Sequence, residues 1–268
     1  MEISCRMFIN KFIYISLLCY MNVSLMGQTK TDTVSILGIC VIENGMKYVG
    51  TPYQAGTLDV NKVEKLICRN DVFDCVTFVE YVLAISIYQL QTTTSKKLEE
   101  ILTEIRYEQG RIDGYGSRIH YFTCWIDQQV KTGRFVDITN DLGGIEYKKN
   151  LYFMSENSAR YPKLKDPKAL KKVVATEKKL NSVTRFYIPK SDVIYIEDKL
   201  QSGDIVGITT DIKGLDIVHT GFVFKKNGKA FLLHASEKEK KVCISDLTLA
   251  SYLAKNPKQS GIIVLRPK

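Results

Sequence analysis

The clearest helical pattern in the chain starts at Cys75, directly after a polar turn. The apolar positions that follow at helical spacing are Val76, Val79, Val82, Leu83, Ile87 and Leu90. They predict a helix that runs to about Gln91 and carries Cys75 in its first turn. The backbone N–H groups and partial positive charge of a helix N-terminus lower the pKa of a thiol. Cys75 is therefore a candidate nucleophile that needs a separate base if Asp74 points at its sulfur; the alternative is a buried structural cysteine.

Helical patterns dominate the first part of the chain, and strand patterns dominate the last third. Periodic apolar positions predict further helices over 33–50, 98–105 and from Asp166 to about Leu180. Apolar and alternating runs predict strands over 204–209, 219–225, 229–235, 241–244 and 261–266. Helices followed by strands indicate an α+β fold, in which an antiparallel sheet packs against the early helix. The stretch of about 92–200 is expected to be an inserted subdomain that walls a substrate cleft.

Two of the three histidines fall on one predicted β-hairpin. The histidines are His120, His219 and His234, and Asn227-Gly228 is a strong signal for a two-residue hairpin turn between the last two. This turn places His219 and His234 on one sheet face as diagonal neighbours. One ring can then accept the thiol proton, and the other ring can hold the first ring in position. We expect the Cys75 helix to pack over this face. The alternative is that both histidines are ordinary polar residues at strand ends.

The N-terminal residues have the features of an export signal. Basic residues precede the apolar run Phe12–Tyr20, which predicts a signal peptide over 1–27 and an exported protein. A lipid anchor on Cys19 and an uncleaved anchor are the alternatives. The chain has 268 residues, of which 45% are hydrophobic, so residues 28–268 are expected to form a single catalytic domain.

Cysteine spacing and net charge argue against several kinds of site. Removal of residues 1–27 leaves five cysteines, an odd number, and none is spaced as C-x-x-C. This argues against a zinc ribbon or a redox pair, and no metal ion or other cofactor is expected. The formal net charge is +9, and ten basic residues lie between Arg160 and Lys190. That stretch either attracts an anionic polymer or is a solvated helix face, and no nucleic-acid partner is expected of an exported protein.

Short motifs in a defined order resemble those of a known family. They are Gly50-Thr51-Pro52-Tyr53, Phe73-Asp74-Cys75, Gly203-Asp204-Ile205, His219-Thr220-Gly221 and His234-Ala235-Ser236. Together they are similar to the NlpC-type papain-like cell-wall cysteine peptidases. Further segments, such as Ser117–Phe122 and Tyr187–Lys190, are more similar to the amidase-like subfamily, the bacterial N-acetylmuramoyl-L-alanine amidase-like proteins. The resemblance covers most of 40–266, and it implies that the exported protein is periplasmic or associated with a bacterial envelope.

The resemblance implies roles for individual residues. It implies a papain-like NlpC-type core, with the nucleophile helix on an antiparallel sheet and a helical insertion between cysteine and histidine. Cys75 matches the nucleophile, His219 the general base and His234 the third, orienting residue. Tyr53 matches the tyrosine near the thiolate, where it is expected to form an oxyanion hole with the Cys75 backbone N–H.

The implied reaction is hydrolysis of the amide between N-acetylmuramic acid and L-alanine in peptidoglycan or a muropeptide, through a thioester. The alternative is a cysteine endopeptidase that cuts the D-glutamyl–diamino acid bond of the stem peptide, because the sequence alone does not choose the bond. A zinc amidase that uses all three histidines and a non-catalytic wall-binding module are further alternatives. No stable protein partner is implied.

Three further residues are candidate substrate contacts. His120 and Arg118 lie in the segment Ser117–Phe122, and a hydrogen-bonded core position is the alternative for His120. Asp216, just before the His219 strand, is a candidate partner for a cationic group of the substrate, such as the free amine of the diamino acid. The alternative for Asp216 is a loop residue that accepts hydrogen bonds from backbone N–H groups.

Overall fold

An antiparallel sheet is the central element of the computed structural model, which describes residues 34–92 and 96–268. Its strands are β1 (Phe135–Asp137), β2 (Ile145–Glu146), β3 (Phe186–Pro189), β4 (Ile205–Thr210), β5 (Ile217–Lys226), β6 (Lys229–Ser236), β7 (Lys241–Thr248) and β8 (Gln259–Pro267). Their order is β2-β3-β8-β4-β5-β6-β7, and β1 also pairs with β8. The predicted signal peptide, 1–27, and Cys19 lie outside the described residues.

Helices flank this sheet. They are α1 (Ile36–Lys47), α2 (Cys75–Leu90), α3 (Leu98–Arg106), α4 (Phe122–Lys131), α5 (Phe153–Glu156), α6 (Pro167–Leu180) and α7 (Leu249–Ala254). Within the two described ranges, no helix has both the length and the apolar character needed to cross a membrane. The prediction of an α+β fold with an antiparallel sheet is confirmed.

The turn between β5 and β6 has the predicted register. Asn227 and Gly228 have φ values of 52° and 75°, the left-handed conformation that a type I′ hairpin turn requires of both central residues. Lys226 therefore pairs with Lys229, and the ladder continues as far as Phe222 opposite Leu233. Since this register is set locally, the sequence was sufficient to predict which residues share a face.

Helix α2 packs on one face of this hairpin through a fully buried apolar side. The ring of Phe78 lies 5.8 Å from the ring of Phe222, centroid to centroid, in an edge-to-face contact. Both residues belong to the main core, together with Leu233 of β6. The same core also receives α1 and α3, so α2 is held between helices on one side and the sheet on the other.

The expectation that α2 covers the histidine face was wrong. Successive side chains of a strand point to opposite faces, so His234 points away from the face that Leu233 gives to α2. On the histidine face, the ring of Tyr252 of α7 lies against both histidine rings. Its centroid is 6.4 Å from that of the His219 ring and 5.6 Å from that of the His234 ring. The physical reason is that the apolar side of α2 is buried best against the aromatic and aliphatic face of the hairpin.

Residues between α2 and β4 contribute to two cores. Ile101 of α3 and Trp125 of α4 join the main core. A separate small core surrounds α6 and consists of Tyr115, Tyr121, Cys124, Leu151, Met154, Leu164, Ala169, Val173 and Leu180. This region also supplies β1, β2 and β3, which are too short to produce a readable strand pattern. The limits of an inserted subdomain, about 92–200, stay a prediction.

Candidate active site

Cys75 is the first residue of α2, and its sulfur lies beside the backbone of β5. The carboxylate of Asp74 accepts a hydrogen bond from the Thr77 N–H at 2.8 Å, and Thr77 Oγ1 accepts one from the Asp74 N–H at 2.9 Å. This capping box starts the helix at Cys75. The backbone N–H of Thr220 lies against the sulfur. Because Thr220 directly follows His219, the sulfur is next to the strand segment that carries the predicted base.

The surroundings of Cys75 favour the neutral thiol. Burial raises the pKa of the Cys75 thiol to about 12, and the negative charge of Asp74 adds to the rise. Backbone N–H groups, including that of Thr220, act in the opposite direction but are outweighed. The lowering effect of the helix N-terminus is therefore outweighed in the resting protein, because desolvation penalises the charged form more than the backbone N–H groups stabilise it. A base is needed to activate the thiol.

His219 and His234 form a hydrogen-bonded pair. Nε2 of His219 lies 2.6 Å from Nδ1 of His234, and the two rings meet edge to face. Burial lowers the pKa of His219 to about 4, and burial together with His219 lowers the pKa of His234 to about 3. Both rings are therefore neutral at neutral pH. Since Nε2 of His219 is engaged by His234, Nδ1 is the nitrogen that remains to accept a proton, and the pair has the form of a base with an orienting partner.

Two residues beside this pair were missed at the level of sequence. Cys243 of β7 is the cross-strand partner of His234, and its Sγ lies 3.8 Å from Nε2 of His234. Tyr252 of α7 packs against both histidine rings. A cavity of about 610 Å³ is lined by His234, Cys243 and Tyr252 and reaches Gly50. The register of β7 on β6 could have indicated Cys243 only if the turn at 237–240 had been recognised.

Tyr53 lies close to Cys75, as its predicted role requires. Its backbone N–H donates to the carbonyl of Lys240, and the following N–H, of Gln54, donates to the carbonyl of Phe73. These bonds tie the Tyr53 segment to the residues just before α2. Burial raises the pKa of the Tyr53 phenol, and the nearby Cys75 side chain adds to the rise. The phenol is therefore a neutral hydrogen-bond donor near the sulfur.

Arg118 is part of a buried ion-pair network. Its Nε and Nη2 donate to the two carboxylate oxygens of Glu64, both at 2.8 Å, and its Nη1 donates to Asp59 at 3.0 Å. Arg118 and Glu64 have only 8% and 2% of their side-chain surface exposed. Burial opposes ionisation of Glu64, but the hydrogen bonds from Arg118 outweigh it and hold the Glu64 pKa below its ordinary value. The structure thus gives Arg118 a structural partner and leaves its predicted substrate contact without support.

His120 is held by its own neighbours. Its Nε2 lies 2.9 Å from the carbonyl oxygen of Tyr115, and its ring packs on the Tyr115 ring at 4.4 Å. Burial and the nearby Arg118 lower the pKa of His120 to about 4. His120 therefore occupies the hydrogen-bonded position that was the alternative to a substrate contact. In the part of the chain that the structure describes, no group of three or more His, Cys, Asp or Glu residues is arranged to hold a metal ion.

Asp216 supports the start of α4. Its Oδ2 accepts hydrogen bonds from the Thr123 backbone N–H at 2.8 Å and from the Thr123 hydroxyl at 2.9 Å. The residue is 2% exposed, and burial raises the pKa of its carboxyl group. The alternative interpretation of Asp216, a residue that accepts hydrogen bonds from backbone N–H groups, describes the position seen in the structure.

A comparison with known protein families matches most of the chain to one family. The family profile described as AmiA-like, N-acetylmuramoyl-L-alanine amidase-like, matches residues 43–262. The chain belongs to this family. The matched region of this AmiA-like chain contains Tyr53, Cys75, His219 and His234. No curated protein matches it.

Solved structures have the same fold as the AmiA-like chain. The crystal structure of an N-acetylmuramoyl-L-alanine amidase from Bacteroides uniformis ATCC 8492 is 35% identical, with a TM-score of 0.81, over 87% of this chain and 100% of that one. A putative xylanase from Bacteroides fragilis is 36% identical, with a TM-score of 0.75, over 84% and 99%. A Legionella pneumophila protein, 21% identical with a TM-score of 0.65 over 87% and 89%, shares the fold.

Proposed function

We propose that this protein is a cysteine hydrolase that cleaves the amide between N-acetylmuramic acid and L-alanine in peptidoglycan fragments. The observation that carries the proposal is the position of the Cys75 sulfur against the Thr220 backbone N–H, next to a neutral His219 whose Nε2 is engaged by His234. Nucleophile, base and orienting residue are the three groups that covalent amide hydrolysis needs. The family and the Bacteroides uniformis amidase support this choice of bond.

In the proposed mechanism, His219 Nδ1 removes the thiol proton as the sulfur attacks the lactyl carbonyl carbon of N-acetylmuramic acid. Proton transfer and attack occur together, because burial disfavours a separate thiolate and a separate imidazolium. The Cys75 backbone N–H and the Tyr53 hydroxyl stabilise the oxyanion. The C–N bond breaks, the alanine amine takes the proton from His219, and a thioester remains on Cys75. Water, deprotonated by His219, hydrolyses the thioester and regenerates the thiol.

The proposal includes a papain-like NlpC-type core, a helical insertion between nucleophile and base, and export after removal of residues 1–27. The alternative remains an endopeptidase that cuts the D-glutamyl–diamino acid bond, which would use the same nucleophile and base. The two reactions differ in which carbonyl carbon of the substrate lies next to the Cys75 sulfur. They are therefore distinguished by their products.

Mass spectrometry of a defined disaccharide–tetrapeptide muropeptide tests the proposal. The wild-type protein is expected to release an intact tetrapeptide and a disaccharide with a free lactyl carboxylate. Release of a disaccharide that still carries L-alanyl-D-glutamate would support the endopeptidase instead. Cys75→Ala should abolish turnover, whereas Cys40→Ala, a change at a partly exposed thiol on α1, should keep it. Inhibition by a chelator rather than by a thiol alkylator would favour a zinc amidase.

A further inference from the structure

The histidine pair continues into a third group that the proposed mechanism does not use. His234 and Cys243 are direct cross-strand partners on β6 and β7. Nε2 of His234 lies 3.8 Å from Cys243 Sγ, within the range of a hydrogen bond to sulfur, while its Nδ1 is 2.6 Å from His219. His219, His234 and Cys243 thus form a continuous chain of hydrogen bonds, and Cys243 also has a side-chain hydrogen bond with Ser236.

The direction of the protons along this chain decides whether His219 can act as a base. Nδ1 of His219 accepts a proton only if it carries a lone pair, so the neutral ring must have its proton on Nε2. That Nε2–H then donates to Nδ1 of His234, and neutral His234 carries its own proton on Nε2. This proton points at the Cys243 sulfur. In the reverse arrangement each proton lies on the other nitrogen, and His219 presents an N–H to the thiol it should deprotonate.

We propose that Cys243 is a positioning residue whose sulfur accepts the Nε2–H of His234 and so selects the proton arrangement that leaves Nδ1 of His219 free to act as the base. The proposal rests on the proposed function for the role of His219, but the proton position on His234 is measurable without turnover. A thiol is a weak donor and a weak acceptor, so in competition with the stronger N–H donor of imidazole it takes the acceptor role.

The surroundings of Cys243 support an uncharged sulfur that is reached by solvent. Burial, followed by the charge of Glu239, raises the pKa of Cys243, so the group is a thiol at neutral pH. The cavity of about 610 Å³ borders Cys243, His234 and Tyr252. If Cys243 is shortened, water can enter beside Nε2 of His234. Water both donates and accepts, so it would not distinguish between the two proton arrangements.

Two substitutions separate the hydrogen-bonding role from packing. Cys243→Ser keeps an acceptor of similar size, whereas Cys243→Val fills the site with an apolar side chain but leaves the His234 Nε2–H without a partner. Loss of one hydrogen bond with an unsatisfied buried donor predicts a fall in kcat of about 10-fold for Cys243→Val. Cys243→Ser should stay within about 3-fold of wild type, and KM should change little in both. Cys40→Val is the matched control at another partly exposed thiol and should retain wild-type kcat.

Ring ¹⁵N NMR of histidine-labelled protein supplies the second measurement, and the chain has only three histidines to assign. At pH 7 the wild type is expected to show His234 protonated on Nε2 and His219 protonated on Nε2. Cys243→Val should shift His234 toward a mixture of tautomers, while Cys243→Ser should not. Protonation of His234 on Nδ1 in the wild type, or identical spectra and kcat in folded Cys243→Val, would overturn the proposal. If Cys75→Ala retained turnover while His219 and His234 showed the expected tautomers, the proposed function would fail and the contact between Cys243 and His234 would stand.

Discussion

The Nε2 atom of His219 lies 2.6 Å from the Nδ1 atom of His234, so the orientation of the first ring depends on the second. His234 is 1% exposed and is enclosed by Tyr252 and Cys243. His219 is half-buried and directly precedes Thr220, whose backbone N–H lies against the Cys75 sulfur. The buried ring therefore acts as the fixed member of the pair. The more accessible ring, His219, is the one that the proposed mechanism uses as the base.

Replacing each histidine should separate these roles. His219→Ala is expected to lower kcat by about 10²–10⁴-fold, because it removes the proposed general base. His234→Ala should cost less, and His234→Gln or His234→Asn should recover part of the loss because each retains a hydrogen-bonding group. Steady-state kinetics on a muropeptide measure this, with circular dichroism as the check on folding. Full activity of His234→Ala would contradict the orienting role.

Asp74→Asn is expected to make Cys75 more reactive without unfolding α2. The Asp74 carboxylate raises the pKa of the thiol through its charge, whereas Asn is as good an N-cap as Asp. The rate of iodoacetamide labelling at Cys75 is measured by mass spectrometry as a function of pH. The pH at which this rate rises should be lower in Asp74→Asn than in the wild type. The control is Asp71→Asn, which removes an exposed charge paired with Arg69. An unshifted profile in Asp74→Asn would show that burial alone sets the pKa of Cys75.

The pH dependence of kcat/KM should have its acid limb unusually low. Burial lowers the pKa of His219 to about 4, and the mechanism needs the neutral ring. Activity should therefore persist as the pH falls through the ordinary histidine range near 6.5 and decline only toward pH 4, where His219 becomes protonated. A limb near pH 6.5 would mean that the ring is solvated in the free enzyme. Cys75 should remain a thiol at pH 7, visible as low thiolate absorbance near 240 nm that rises only at high pH.

Arg118→Ala should reduce stability rather than substrate binding. The substitution leaves the buried carboxylate of Glu64 without its two-point partner, and breaking a buried ion pair costs about 3–5 kcal/mol. We expect the free energy of unfolding to fall by about 3 kcal/mol, the lower end of this range, because Tyr107 and Lys163 still donate to Glu64. Urea unfolding measures this, and the double variant Glu64→Gln/Arg118→Met should lose less. A raised KM with unchanged stability would instead support a substrate contact.

Asp216→Ala should likewise lower the stability of the fold rather than weaken substrate binding. The carboxylate accepts from the Thr123 N–H in the first turn of α4, and loss of such a helix cap costs about 1–2 kcal/mol. Asp216→Asn should cost less, because its amide oxygen can still accept the hydrogen bond. Thermal unfolding and kcat/KM are the two measurements. A fall in kcat/KM for folded Asp216→Asn would restore the cationic-substrate interpretation.

Sequence patterns predicted the elements that carry the candidate site more accurately than the packing between them. The helix that starts at Cys75 was predicted because its apolar positions recur with one period directly after a polar turn, and the structure begins the helix at that residue. The side of the sheet that this helix covers was predicted wrongly. Either face of the hairpin offers apolar residues, and only the contact of Phe78 with Phe222 shows which face is used.

The sequence by itself determined features that depend on neighbours within a few residues. The Asp74–Thr77 capping box starts α2, and the left-handed turn at Asn227-Gly228 puts His219 and His234 on one face. The tertiary structure decided everything that depends on distant partners. Glu64 is 54 positions from Arg118, and Thr123 is 93 from Asp216, yet these contacts give both residues structural roles. Burial is also decided by the tertiary structure, because desolvation depends on the whole surrounding fold. It raises the pKa of Cys75 and outweighs the backbone N–H groups at the helix N-terminus, which lower it.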